Sequence, residues 1–217
     1  INTFDVTPNA GTGGSLTPST VVAVVAGTAT SFTVTANSGY SITSVTGCGG
    51  TLSGNTYTTG SINADCTVSA SFTLNTYTIT TSVSPSGAGS VTCSPNPVAH
   101  GGSSTCSQSP TAGYTFSGWS GACNGADPCA LDNVTASASV TANYTLNTYA
   151  ITTAVSPAGA GTVTCTPNPV NHGSGSTCSQ TPATGYTFAN WSGACTGNTN
   201  PCALSNVTGN QSVTAYY

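Results

Sequence analysis

Few residues in this chain could do chemistry: ten cysteines, two histidines and four aspartates, with no lysine, arginine or glutamate. Any nucleophile, proton donor or metal cage must be assembled from these. His100 and His172 sit in sibling phrases, "NPVAHGG" and "NPVNHGS". Each loop has one imidazole and no thiol or carboxylate at ligand spacing. Read this way, each is a loop-tip ring bonded to its own backbone. Asp5, Asp65, Asp127 and Asp132 make neither a calcium loop nor a carboxylate pair. Asp127 and Asp132 straddle one cysteine loop, but Asn200 and Ser205 stand in the corresponding region further on. The strand-turn-helix elbow G-x-S-x-G does not occur. The chain is therefore expected to be no enzyme, with no catalytic, cofactor-binding or metal site.

The cysteines are left for crosslinking. None is in a CxxC, haem-attachment or Cys/His zinc pattern, so an oxidising compartment is expected. Cys93 and Cys106 recur at the same spacing as Cys165 and Cys178, and Cys123 and Cys129 recur as Cys195 and Cys202 with one residue more between them. Cys48 and Cys66 remain. Local pairing in that order uses all ten.

The spacing recurs because the chain repeats. "LNTYTITTSVSPSGAGSVTCSPNPV" starts at Leu74 and "LNTYAITTAVSPAGAGTVTCTPNPV" at Leu146, while the chain opens "INTFDVTP". Three repeats follow: 1–73, 74–145 and 146–217, the first divergent. A longer tandem array is expected around them. The only strongly apolar run, "VVAVVAG" at 21–27, is too short to span a bilayer and lacks the basic flank of a signal peptide. An export signal is expected to lie outside this sequence or to have been removed.

Each repeat reads as strands. "TYTITTSV" (76–83) alternates, Gly, Pro and Asn punctuate, and "SVTANYT" (139–145) closes the second repeat. No window has helical periodicity, and the best helix formers are missing; at most one helical turn fits near "GYTFSGW" (113–119). Each repeat is small enough to need staples, and its large rings should be inside. Trp119 and Trp191, with Tyr114, Phe116, Tyr186 and Phe188, are the expected core aromatics, and Val45 takes the Trp position in the first repeat. The competing reading of the tryptophans is an exposed sugar-stacking face. For such a face Tyr57, Tyr216 and Tyr217 are the further candidates.

The string "G.V.C.P", the "HG" of the middle loop, "GYTFSGW" and the terminal "SVTANY" resemble the divergent form of the internalin-type B-repeat. The resemblance runs through the second and third repeats and is looser over the first. It implies a small β-grasp-like or β-sandwich-like domain, used in tandem on secreted and anchored bacterial proteins as stalk or spacer, with no catalytic residues. The fold expected is all-β: three disulfide-stapled repeats in a rod, about 25 Å per repeat if seven or eight strand residues lie along its axis. The short "TLNT" connections leave neighbours little freedom.

Charge decides the partners. A formal net charge of −4 with no basic side chain excludes electrostatic capture of nucleic acid or anionic lipid. Lys–Asn isopeptide crosslinks are impossible, so disulfides must take that role. Low charge density favours association between chains, and a strand edge without lysine is a template for another strand. The expected partners are neighbouring repeats, other copies of the chain in a filament, and glycans if the protein is an adhesin or an accessory segment of a secreted enzyme. Asn133, Asn143, Asn190, Asn206 and Asn210 stand in N-x-Ser/Thr sequons and are candidate glycosylation positions.

Overall fold

The computed structural model describes residues 1–125 and 127–217. Among these there is no helix, and "GYTFSGW" after its first glycine lies in a strand, Tyr114–Gly121, rather than in a helical turn. Thr, Val and Ser alternate through most strands, so one face goes inward and hydroxyls go outward. In Ser31–Ala36, for example, Phe32 and Val34 are buried while Ser31, Thr33 and Thr35 are exposed.

The first repeat is two four-stranded sheets. One runs in the order Val22–Val25, Thr3–Ala10, Cys66–Leu74, Tyr40–Thr46; the other Gly14–Thr17, Ser31–Ala36, Thr56–Thr58, Thr51–Ser53. The opening strand Thr3–Ala10 is parallel to the closing strand Cys66–Leu74 and antiparallel to Val22–Val25. Val6, Leu16, Phe32, Val34, Tyr57 and Val68 form its core.

The third repeat keeps the parallel pairing of opening and closing strands, Ile151–Ser156 with Gln211–Tyr216, and Asn190–Gly193 lies antiparallel on the closing strand's other side. A second sheet holds Gly161–Thr166, Ser176–Pro182 and Cys202–Leu204. Its core gathers Ile151, Val170, Trp191, Val207 and Val213 around Cys165, Cys178 and Cys195. In the second repeat the corresponding sheets run Ile79–Ser84, Ala138–Leu146, Tyr114–Gly121 and Gly89–Ser94, Gly102–Pro110, Cys129–Val134.

The opening alternation "TYTITTSV" is not one strand. Thr76–Tyr77 pairs with Val98–Ala99 in a small sheet of its own, and the main strand starts at Ile79. Asn96 accounts for the change of partner. Its side chain accepts from Ile79 N (3.0 Å) and donates to Ile79 O (2.8 Å), acting as a strand neighbour at the point where the backbone switches sheets. Leu74 and Leu146, first residues of their sequence repeats, are the last residues of the preceding closing strands.

By compactness the chain divides into two units, one of residues 1–80, 93–106 and 130–139, the other of 81–92, 107–129 and 140–217. The division cuts through the second repeat. Each unit therefore contains one join between repeats.

Candidate functional site

The ten cysteines are all used for structure. The ten cysteines form Cys48–Cys66, Cys93–Cys106, Cys123–Cys129, Cys165–Cys178 and Cys195–Cys202. Cys165 and Cys178 are direct cross-strand neighbours, with Cα atoms 4.0 Å apart. Among the described residues no cysteine is free, and no three His, Cys, Asp or Glu converge to hold a metal. Asp65 accepts the backbone N–H of Asp5 at 2.8 Å, and Asp127 accepts from the Gln108 side chain at 3.3 Å. In the third repeat Asn200 does related work, its side chain pairing with both N and O of Gln180.

The tryptophans are buried, Trp119 at 5% and Trp191 at 2% exposure. Each meets a phenylalanine ring, which in turn meets a tyrosine edge-on: Trp119, Phe116 and Tyr144, then Trp191, Phe188 and Tyr217. Trp191 Nε1 donates to Thr199 O at 3.0 Å, inside the loop closed by Cys195–Cys202. Val45 faces Ala70 in the register that places Trp119 against Ala142 and Trp191 against Ala215.

Three aromatic expectations need correcting. Tyr186 is 45% exposed and is no core residue. Its strand begins only at Asn190, whereas in the second repeat Tyr114 starts the strand and pairs with Leu146 beyond the closing phrase. Tyr114 itself is half-buried, at a strand end facing the join. Tyr57 is buried at 1% and donates its hydroxyl to Gly47 O, so it presents no face to a sugar. Burial against the apolar surroundings raises the Tyr144 hydroxyl above its ordinary 10.0, and the Asp127 carboxylate adds to the effect against a weaker bond to the Ser109 backbone. Burial likewise raises Tyr217.

The sequons differ from one another. Asn143 donates its amide to Gly118 O and Ser120 Oγ, Asn190 donates to Trp191 O, and Asn210 accepts from Ala150 N. Asn133 and Asn206 are exposed, both with φ near +50°. A shallow concavity of about 270 Å³ beside Asn206, lined by Ala194, Leu204 and Gln211 among others, has no aromatic ring in its wall.

The histidines hold the unforeseen contact. They do not merely cap their own loops: each reaches the preceding repeat. The His100 ring lies over Gly39, and the His172 ring over Gly113. A Cβ on either glycine would overlap ring atoms, with Nε2 at 2.8 Å in both cases. Each imidazole is aimed by a tyrosine of its own repeat. Tyr77 OH meets His100 Nδ1 at 3.2 Å, and Tyr149 OH meets His172 Nδ1 at 3.3 Å, both with ring planes at 52°. The connecting asparagine completes the contact: Asn75 N–H donates to Gly39 O and its Oδ1 accepts from Ser41, while its own carbonyl accepts from His100 N–H. Asn147 repeats all three bonds with Gly113 O, Thr115 and His172 N–H. In the first repeat Ala26 N–H likewise donates to Asn2 O, with Phe4 and Ala26 where the others have Tyr and His.

All-β repeats, each closed by local disulfides and joined through side-chain contacts, define a tandem modular protein of the kind found outside cells. The model of the divergent InlB B-repeat domain matches residues 4–76, 79–148 and 151–217, and the chain belongs to that family. No curated protein matches it. Among solved structures it is similar to the Bacillus anthracis TIE protein at 9% identity, with a TM-score of 0.45, covering 100% of this chain and 50% of that one; the chain thus spans about half that protein's length. Among the described residues no helix is long and apolar enough to cross a membrane.

Proposed function

We propose that this chain is a spacer segment of a bacterial surface or secreted protein: a run of stapled repeats that holds other parts at a distance and performs no catalysis. The observation that carries this reading is the duplicated join. The same asparagine, histidine and glycine contacts recur between the first and second repeats and between the second and third. A contact rebuilt at each join serves the continuity of the array. Membership of the B-repeat family and five disulfides support a place outside the cytoplasm.

The adhesin reading needs exposed rings or a lined groove. Trp119, Trp191 and Tyr57 are buried, which favours the spacer and leaves Tyr186 and Tyr216 as the exposed rings an adhesin would have to use. A glycan array probed with the oxidised chain tests the choice: no saturable binding is expected, and selective binding to one glycan class would contradict it.

A further inference from the structure

We infer that the Gly-Tyr turn of one repeat is a socket for the histidine of the next, and that this plug couples successive repeats so that they open together. The inference deepens the spacer reading by naming the device that joins the repeats.

The plug is a Tyr–His pair on one repeat: Tyr77 with His100, or Tyr149 with His172. The socket is a glycine in the left-handed region on the repeat before it, Gly39 at φ +81° or Gly113 at φ +87°. That backbone conformation favours glycine, and the ring lies where a Cβ would stand. The two requirements coincide at one position. The partner that fits the socket is therefore a repeat carrying an imidazole aimed by a tyrosine. The first repeat, with Phe4 and Ala26, has no such plug.

Backbone strain and ring contact can be separated inside this molecule. Gly185 opens the same Gly-Tyr turn of the third repeat at the same φ of +87°, with no atom within 4 Å of the Cβ position. Gly185→Ala thus introduces the strain alone, and Gly113→Ala the strain plus the collision with His172.

The test is amide hydrogen exchange at Asn147, whose N–H bonds Gly113 O across the join. Exchange is measured in the oxidised full chain carrying G113A, H172A, both together, or G185A. H172A is expected to speed Asn147 exchange on the order of tenfold. G113A is expected to speed it further when His172 is present and by clearly less, through the backbone strain alone, when residue 172 is alanine; G185A should leave Asn147 unchanged. Folding of G113A only in the H172A background would also support the socket. Unchanged Asn147 exchange in H172A would overturn the inference. So would a G113A effect of the same size with and without the imidazole, or failure of G113A to fold in both backgrounds. Any of these would leave the spacer reading standing, since that reading is tested separately by the glycan array.

Discussion

Asn168 is bonded through its side chain to both the N–H and the C=O of Ile151, at 2.9 and 2.8 Å. Asn96 holds Ile79 in the same way one repeat earlier. An amide has one donor and one acceptor group side by side, so it can imitate the edge of a strand. It does so where the chain leaves the small sheet and enters the main one. Ile151 is buried, so its two backbone groups need partners inside the protein. Asn168→Ala should cost about 1–3 kcal/mol. Asn168→Asp should cost at least as much, since a carboxylate then faces a carbonyl. Urea unfolding of the oxidised protein measures both; an unchanged midpoint would show that water replaces the amide.

The aromatic cluster of the third repeat makes a second prediction. Trp191 is fully enclosed, and its N–H is spent on Thr199 O. Trp191→Ala should destabilise by about 3–5 kcal/mol. Trp191→Val places at this position the residue type that stands at Val45, and it should still leave a cavity, because the first repeat fills its core with Phe32 and Tyr57. Melting curves of the two variants should both lie well below that of the native protein, with alanine the lower.

Stability should respond to reduction far more than to salt. Closing the loop between Cys165 and Cys178 is worth about 3 kcal/mol in the chain-entropy model. The four aspartates have no lysine or arginine to pair with. Melting with and without reductant, at low and high sodium chloride, checks this; a large salt dependence in the oxidised protein would contradict it.

The pH dependence should be on the alkaline side. Tyr144 has a hydroxyl raised above 10.0 in the folded state by burial and by Asp127. A raised folded value means the folded protein holds the proton more tightly. Its contribution is fully present below the unfolded value and is lost as pH rises through the folded one. Stability should therefore fall above about pH 10. Tyr144→Phe should flatten that fall, as short-exposure melts between neutral and alkaline pH would reveal. A fall of the same steepness in the variant would place its cause elsewhere.

Much of this was legible in the sequence because duplication labels equivalent positions. The cysteine spacing named neighbours that prove close in space, and "GYTFSGW" and its counterpart "GYTFANW" marked a buried tryptophan in the second and third repeats. The histidine contact was not legible. His100 meets a glycine of the preceding repeat, and a bare glycine carries no sign of what lies over it. Tyr186 misled for a related reason. Equivalence with Tyr114 is exact in sequence, but the environment of Tyr114 is made by Leu146, at the opening of the next repeat. Tyr57 looked like a stray exposed ring because it breaks the repeat pattern, yet the first repeat has its own second sheet and encloses it there. The break at Thr78 is invisible to an alternation count, since a switch of sheet keeps the same apolar period.

On the spacer reading, the chain's contacts join neighbouring repeats rather than separate copies in a filament. Ala26 stands in the first repeat where His100 and His172 stand in the others, so that repeat brings no ring to a Gly-Tyr turn such as that of Gly185. Sedimentation velocity of the oxidised chain, across a wide concentration range at neutral pH, tests this most directly. A single monomeric species at every concentration is predicted. Concentration-dependent growth into longer species or fibres would contradict it.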